Sequence, residues 1–290
     1  MTQQVAPNRF KAGASGLSSV TAVEASSDRS FRRHTHDQFG IGVVMRGAQD
    51  SASGRGQVRA TPGNLITVNP NEVHDGRPVA GESRTWRMLY LDPALIAQTA
   101  KAMGHSPQAE FIYPVLNHPS AVGAFHRLYA ALTTSALGPR HEILDQELFQ
   151  ILTPLFGKSP AIQLPLLSKE LARAKERIDA HPEVPVTLAE LAAEAGLSPF
   201  HFLRAFKAAT QLPPHAYRLQ RQLQMARRLI MSGHSVLSAA YLAGFADQSH
   251  LTRHFAATYG LTPGSLSRSR RLQLRRPDEE MMAISQTQRG

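Results

Sequence analysis

The sequence of 290 residues contains no cysteine. This absence excludes disulfide bonds, thiolate metal ligands, a cysteine nucleophile and thiol-based redox sensing. Long apolar runs are also missing: no stretch reaches the roughly 18 apolar residues needed to span a bilayer. The first residues lack the apolar core of a signal peptide. We therefore expect a cytoplasmic protein with no membrane partner.

Acidic residues are scarce towards the C-terminus. Residues 198–276 contain twelve basic residues and a single acid, Asp247, whereas the whole chain has 32 basic and 22 acidic residues. Such an excess is typical of a surface that binds a polyanion. Because these charges lie within helical patterns that have apolar stripes of their own, we expect double-stranded DNA rather than a membrane as the partner.

Apolar residues make up 42% of the chain, which is enough for packed cores, and the length suffices for two domains. Short β-like runs separated by Gly, Pro and Asn are followed by helical patterns, which predicts a multidomain α+β fold with an N-terminal antiparallel β-barrel and an all-α C-terminal part. The predicted divisions are a flexible arm at 1–19, a ligand-sensing barrel at 20–93, a helical dimerisation region at 94–156, a linker at 157–166, a DNA-binding domain at 167–276 and a disordered tail at 277–290.

Two helical patterns within the dimerisation region, at 121–137 and 142–156, form a predicted hairpin. The hairpin has more apolar surface than one small barrel can cover. Two interpretations follow: the surface packs within its own domain, or it packs against a second subunit. The second interpretation predicts a homodimer.

Two segments of the C-terminal third repeat one another at an offset of forty-eight residues. Each has apolar residues at i, i+3, i+4 and i+7, then a glycine that can turn the chain with positive φ, then a second amphipathic pattern. This order predicts two helix-turn-helix units. The matched positions are Leu188, Leu191, Ala192, Ala195 and Gly196 in the first unit, and Val236, Ala239, Ala240, Ala243 and Gly244 in the second.

Helix starts are predicted at four N-caps: Thr187, which forms a capping box with Glu190, Ser198, Ser235 and Asp247. In the second helix of each unit, the apolar face is predicted to be buried and the opposite face exposed. The buried residues are Phe202, Phe206, Leu251 and Phe255, and the exposed ones are Phe200, Arg204, Lys207, Ser249 and Arg253. A helix over 215–231 would be about 25 Å long. It would separate the two units by nearly one helical repeat of DNA, which is about 34 Å.

The run from Thr187 to Leu266, with its paired units, linking helix and terminal Gly-Leu-Thr-Pro, resembles the AraC/XylS family of bacterial transcription regulators. The resemblance implies a sequence-specific regulator, commonly an activator, that contacts promoter DNA and RNA polymerase. It also implies that base-reading residues lie at Phe200, His201, Leu203 and Arg204, and at Gln248, Ser249, Thr252 and Arg253. Leu203 departs from the polar residue often found there, which puts a direct hydrogen bond at that position in doubt.

Two short stretches of the N-terminal half, residues 34–40 and 69–76, look like the motifs of a cupin barrel. His34 and His36 project to one face of a strand, and His74 can approach them. Three imidazoles suit a transition metal. However, the Glu that metallo-cupins usually carry is replaced by Gly40 or Ile41, so the histidines are interpreted as groups that bind an organic ligand or are satisfied within the barrel.

Trp86 and Tyr90 alternate on a β-like run and so share a face, as residues of a pocket wall or of an ordinary core would. We therefore assign His34, His36, His74, Trp86 and Tyr90 to an effector site, with no metal and no cofactor. The leading hypothesis is a non-enzymatic regulator that responds to a small polar metabolite. Two alternatives are a metal-dependent cupin enzyme with a DNA-binding appendage, and an architectural DNA-binding protein whose N-terminal half only oligomerises.

Overall fold

The computed structural model of the chain describes residues 8–13, 17, 19–134, 141–157 and 167–271. The expected disordered tail, most of the linker and the first seven residues of the expected arm lie outside these ranges. Within them, no helix is long and apolar enough to cross a membrane.

Two antiparallel sheets, one of six strands and one of four, form the N-terminal half. The predicted antiparallel β-domain is confirmed, but the strands form two separate sheets instead of one closed barrel. In spatial order the six-stranded sheet contains β1 (Arg9–Gly13), β2 (Val20–Ser27), β9 (Arg84–Leu91), β4 (Phe39–Arg46), β7 (Leu65–Val68) and β10 (Val115–Leu116), and the four-stranded sheet contains β3 (Phe31–His34), β8 (His74–Pro78), β5 (Gln49–Ser53) and β6 (Gly56–Ala60).

Strand β1 lies within the segment expected to be a flexible arm. It pairs with β2 from Arg9 opposite Ser26 to Gly13 opposite Ala22. Phe10 explains the difference, because its ring makes edge contacts with Phe31 and with the ring of Trp86, each at 5.9 Å between centroids. A half-buried aromatic ring gives this segment an apolar contact that its Ser- and Gly-rich surroundings do not suggest.

Three helices cover one face of the six-stranded sheet: α1 (Pro93–Ala102), α2 (Pro119–Thr134) and α3 (His141–Leu152). The predicted hairpin corresponds to α2 and α3, whereas α1 was not expected. Leu128, Leu132 and Leu148 are fully buried among strand residues such as Ile41 and Leu89. Packing within the domain therefore accounts for the apolar surface from which a second subunit was inferred.

The C-terminal part is helical, as predicted. Its helices are α4 (Lys169–Ala180), α5 (Leu188–Glu194), α6 (Pro199–Thr210), α7 (Pro214–Ser232), α8 (Val236–Leu242) and α9 (Gln248–Tyr259), and the chain is helical again from residue 263 to 271. The pairs α5–α6 and α8–α9 are the two helix-turn-helix units, each with a separate apolar core. Helix α7 joins them and contributes Tyr217 to the first core and Leu223 to the second.

The local signals at the helix ends are confirmed. Side chains of all four predicted N-caps accept a hydrogen bond from a backbone N–H in the first turn, and Thr187 forms its capping box with Glu190. The two turn glycines, Gly196 and Gly244, have φ of 64° and 79°. These features could be predicted from the sequence because they depend only on neighbouring residues.

Candidate DNA-reading surface and ligand pocket

Helix α6 presents a polar face to solvent because its apolar face is fully buried at Phe202 and Phe206. The side chains of Phe200, His201, Arg204 and Lys207 are exposed, and Leu203 is half-buried. Phe200 is 63% exposed, and the guanidinium of Arg204 lies 5.7 Å from its ring centroid. A cation and an aromatic face are thus presented together, in an arrangement suited to bases and phosphates.

Helix α9 has the same design. Leu251 and Phe255 are buried, whereas Gln248, Ser249 and Arg253 are exposed. The remaining predicted reader, Thr252, is half-buried, and its Oγ1 donates a hydrogen bond of 2.8 Å to the carbonyl of Gln248. All predicted base-reading residues therefore lie on the two helices, with none in the fully buried class.

Much of the basic charge on α7 is engaged within the chain and is not free for DNA. Arg221 pairs with Asp179 at 2.9 Å, and Arg218 donates to the carbonyl of Glu183 at 3.2 Å. Arg227 and its neighbour Arg228 both reach Asp37 of the β-domain. The basic surface inferred from the sequence is thus narrower than expected. It includes the exposed Arg204, Lys207 and Arg253 on the reading helices, and Arg268 and Arg271 after α9.

A cavity of about 100 Å³ lies between the sheets, and the five predicted effector residues all line it. One water molecule needs about 10–15 Å³ by the same kind of measure, so there is room for several waters or a small metabolite. The end of β3 provides His34, the following loop His36, and the start of β8 His74. Their ring centroids are 4.3 to 5.2 Å apart.

The three imidazoles are neutral at physiological pH. Burial, together with the neighbouring His74, lowers the pKa of His34 to about 3. Burial likewise lowers the pKa of His74 to about 4, and it lowers the pKa of His36 well below its ordinary value. Loss of hydration disfavours the charged form, and two adjacent imidazolium ions would repel one another.

Backbone carbonyls fix the tautomers of two of these rings. Nδ1 of His34 is 2.7 Å from the carbonyl oxygen of Arg32, and Nδ1 of His74 is 3.0 Å from that of Glu72. A carbonyl can only accept, so each Nδ1 carries the proton and each Nε2 keeps a free lone pair. This orientation by a backbone carbonyl is typical of metal-ligating histidines, so the donor set fits the metal of a cupin, although no carboxylate completes it.

Aromatic side chains form another wall of the cavity. Trp86 packs against Phe10 and Phe31, and the buried guanidinium of Arg84 lies 4.8 Å from its ring centroid. The Tyr90 ring is 5.0 Å from that of His36, and burial raises the pKa of Tyr90 to about 12. The cavity thus joins a polar imidazole end to an aromatic wall.

Tyr259, the last residue of α9, also lines this cavity and was missed by sequence analysis. Its ring lies 5.4 Å from that of His36, and its hydroxyl is buried with no hydrogen-bond partner among the described residues. The available signal was a difference between the two units. The position just before the helix C-cap is Thr210 in the first unit and the aromatic Tyr259 in the second. The DNA-binding half therefore contributes directly to the pocket of the β-domain.

Helix α7 forms hydrogen bonds with the loop that carries His36, and this contact was not predicted from the sequence. Gln220 Oε1 accepts from the backbone N–H of Thr35 at 3.2 Å, and Gln224 Nε2 donates to Thr35 Oγ1 at 2.9 Å. Two residues further on, Asp37 receives Arg227 at 3.2 Å. Gln220 and Gln224 are both buried, although glutamine is ordinarily a surface residue, so nothing in the sequence signalled this contact.

Comparisons with known proteins agree with this architecture. A family model described as an AraC-like ligand binding domain matches residues 18–152, and one described as a helix-turn-helix domain matches residues 191–269. The uncharacterised HTH-type transcriptional regulator YbfI of Bacillus subtilis is 26% identical over 77% of this chain and 82% of its own length. The probable transcriptional regulator LumQ of Photobacterium leiognathi is 24% identical over 81% and 92%.

Among solved structures, ToxT from Vibrio cholerae with a bound unsaturated fatty acid aligns with a TM-score of 0.51 at 11% identity, covering 91% of this chain and 97% of that chain. At this identity the likeness concerns the fold. The matched models agree with the two domains seen here, and both of these relatives are named as transcriptional regulators. The chain therefore has the two-domain organisation of AraC-type transcriptional regulators, with an N-terminal part that matches the AraC-like ligand binding domain and a C-terminal part that matches a helix-turn-helix domain.

Proposed function

We propose that the chain reads adjacent major grooves of promoter DNA with α6 and α9 and that a small polar effector in the pocket between the sheets controls this binding. One observation carries the proposal: α9 serves both sites. Its first turns carry Gln248, Ser249 and Arg253, and its last residue, Tyr259, lines the pocket. A helix of 12 residues is about 18 Å long, so a rigid displacement at one end is transmitted to the other.

Spacing by α7 supports the two-groove arrangement. Its 19 residues correspond to about 28 Å, close to the roughly 34 Å between successive major grooves on one face of DNA. Arg204 and Arg253 are then the residues best suited to guanine edges, and Lys207 to phosphate. A single chain supplies both reading helices.

The pocket lining supports a polar effector. The Nε2 atoms of His34 and His74 can accept a hydrogen bond from a hydroxyl group, and Trp86 offers a flat surface for a ring or a sugar face. ToxT has been solved with a fatty acid, whereas a cavity of about 100 Å³ with three histidines favours a smaller and more polar compound here.

Control of DNA binding follows from differential affinity. An effector that contacts Tyr259 or moves the loop of His36 binds the docked and undocked arrangements of α9 unequally, and it therefore shifts the population that engages both grooves. Transcriptional activation, a homodimer and contact with RNA polymerase belong to this proposal through the family resemblance. Sedimentation with and without operator DNA tests the homodimer directly.

Trp86 is the only tryptophan of the chain, so its fluorescence reports on this pocket alone. After an operator has been selected from random DNA, small polar metabolites are screened for a saturable change in fluorescence. We expect a compound that changes fluorescence and operator affinity over the same concentration range. Ala25→Leu, which fills the pocket wall, should abolish both responses, and Ala130→Leu on the exposed face of α2 should keep them.

Three outcomes would contradict the proposal. Operator binding that no bound compound alters would favour the architectural alternative. Chemical conversion of the bound compound would favour the enzyme alternative. Failure to select any DNA sequence would remove the regulator itself.

A further inference from the structure

The imidazole end of the pocket brings together three nitrogen donors, two from buried residues and one from the half-buried His74. One nitrogen from each of His34, His36 and His74 lies within 4.8 Å of the other two. Donors that share a metal ion at bond lengths near 2.1 Å are about 3.0–3.5 Å apart. Inward movements of about 1 Å, within the reach of side-chain rotation, would bring the three rings to one ion.

Two of the three rings are oriented by the backbone with one nitrogen left for a ligand. Nδ1 of His34 and Nδ1 of His74 each face a backbone carbonyl oxygen, which can only accept, so the Nε2 atom of each ring is the one left for a ligand. Acceptors placed together are satisfied by a donor or by a Lewis acid. Neutral nitrogen donors without sulfur or carboxylate suit Zn²⁺, Fe²⁺, Co²⁺, Ni²⁺ or Cu²⁺ and disfavour Mg²⁺ and Ca²⁺.

A second unsatisfied group points to the same place. The buried hydroxyl of Tyr259 has no hydrogen-bond partner among the described residues, and its ring packs beside that of His36. A buried hydroxyl without a partner is destabilising, because it has lost its hydration and gained no hydrogen bond in return. A water or another oxygen ligand on a metal ion would satisfy it, and three protein ligands leave such a position open.

We propose that His34, His36 and His74 bind a divalent transition-metal ion and that Tyr259 of α9 closes this site, so that the occupied site holds the second helix-turn-helix unit against the β-domain. The ion takes the imidazole end and leaves the aromatic wall near Trp86 to an organic effector. The metal site itself stands on the geometry of the pocket. Only its regulatory meaning rests on the proposed function.

The test uses the full-length chain stripped with EDTA and then supplied with Co²⁺ or Zn²⁺ alone. We expect one equivalent of metal per chain after desalting, and a visible absorption spectrum for Co²⁺. His36→Ala and His74→Ala should each lower the affinity at least a hundredfold, whereas His215→Ala, at an exposed position on α7, should leave it unchanged. Circular dichroism and operator binding check that each variant is folded.

The role of Tyr259 is tested with Tyr259→Phe, which removes only the hydroxyl. Loss of a group that contacts a metal ligand typically lowers metal affinity 10- to 100-fold, and we expect a loss of this size. Metal should also slow hydrogen exchange at the C-terminal end of α9 in the native chain but not in Tyr259→Phe, because docking and metal binding are linked reciprocally.

Each of these results tests a different part of the proposal. A folded, operator-binding native chain that takes up no metal would overturn the site, and uptake that survives both histidine replacements would overturn its assignment. Equal metal affinities of the native chain and Tyr259→Phe would overturn the closure. Metal uptake without any operator binding would contradict the proposed function and leave the metal site standing.

Discussion

The two helix-turn-helix units share a plan but differ where their reading helices end. The first unit continues Thr210, Gln211, Leu212, and the second continues Tyr259, Gly260, Leu261. Gln211 and Gly260 both adopt left-handed φ, at 62° and 71°. Only the second unit places its end in the pocket of the β-domain, where Tyr259 lines the cavity and Leu261 packs against Val23, Ala25 and Met88.

Glycine at position 260 is explained by this docking rather than by the turn. A Cβ there would lie 2.3 Å from the Phe10 ring, whereas Gln211 shows that the same backbone conformation tolerates a side chain elsewhere. Close approach of β1 therefore selects glycine in the second unit. The difference supports the proposal that the second unit, rather than the first, couples DNA binding to the pocket.

The largest expected effect comes from making the second unit resemble the first. Gly260→Gln introduces a side chain that collides with Phe10 and adopts left-handed φ. Left-handed backbone costs about 1–2 kcal/mol and overpacking about 1–3 kcal/mol, so we expect docking to weaken by about 2–5 kcal/mol. Hydrogen exchange of α9 and the urea midpoint of the β-domain measure the change.

Operator affinity should persist in Gly260→Gln, because Gln248 and Arg253 lie in the first half of α9, away from the substituted position. The effector should no longer change that affinity. Retained coupling in a chain whose α9 exchanges faster would show that the pocket communicates with DNA by a route other than Tyr259 and Gly260.

Arginine replacements compare the two units on DNA. Arg204→Ala and Arg253→Ala should each weaken operator binding by about 1–3 kcal/mol if each arginine contacts a base. Titration of selected and random DNA distinguishes the roles, since equal losses on both would identify a phosphate contact. In Arg204→Ala the effector response should keep its size, because α6 contributes no residue to the cavity.

Local chemistry explains which parts of this comparison were predictable. The four N-caps, the two turn glycines and the linking helix, expected over 215–231 and found at Pro214–Ser232, follow from neighbouring residues. Docking of α9 on the pocket depends on contacts between residues far apart in sequence, such as Phe10 with Gly260. No periodicity encodes such a contact.

The pocket was predictable in composition but not in construction. His34, His36 and His74 were grouped by motif, and the cavity brings them together. The role of α7 was not predicted, because a helix read as a spacer gave no reason to treat Gln220 and Gln224 as buried contacts. Polar residues on a buried helix face acquire meaning only when the opposing surface is known.

Asp37→Asn tests whether α7 supports the docking of the second unit. The carboxylate is 17% exposed and pairs with Arg227 and Arg228, the second of which is 54% exposed. Because part of this network is solvated, we expect the free energy of unfolding to fall by about 1–2 kcal/mol. Denaturant unfolding measures the loss. The matched control, Asp50→Asn, breaks an exposed pair with Arg59 and should have no measurable effect.

Asp37→Asn should also change DNA binding, because it releases the arginines of α7 that pair with Asp37. Without Asp37, Arg227 and Arg228 become available to phosphates, so binding to random DNA should strengthen and depend more steeply on salt. An unchanged salt dependence together with lower stability would show that α7 remains against the β-domain and that the ion pairs only stabilise it.

Gln211→Gly makes the first unit resemble the second, and we expect it to have the smallest effect on stability. Glycine relieves the left-handed strain at φ 62° but loses more conformational entropy on folding, so the net change in unfolding free energy should be about 0–1 kcal/mol in favour of the variant. The Gln211 side chain also approaches Gly54 of the β-domain, its Nε2 lying 2.8 Å from where a Cβ on that glycine would stand. If this contact only fills space, the effector should change operator affinity as much in Gln211→Gly as in the native chain, measured by the same titration. A smaller response would mean that the first unit is coupled to the β-domain as well, because nothing else that α6 presents to DNA has been altered.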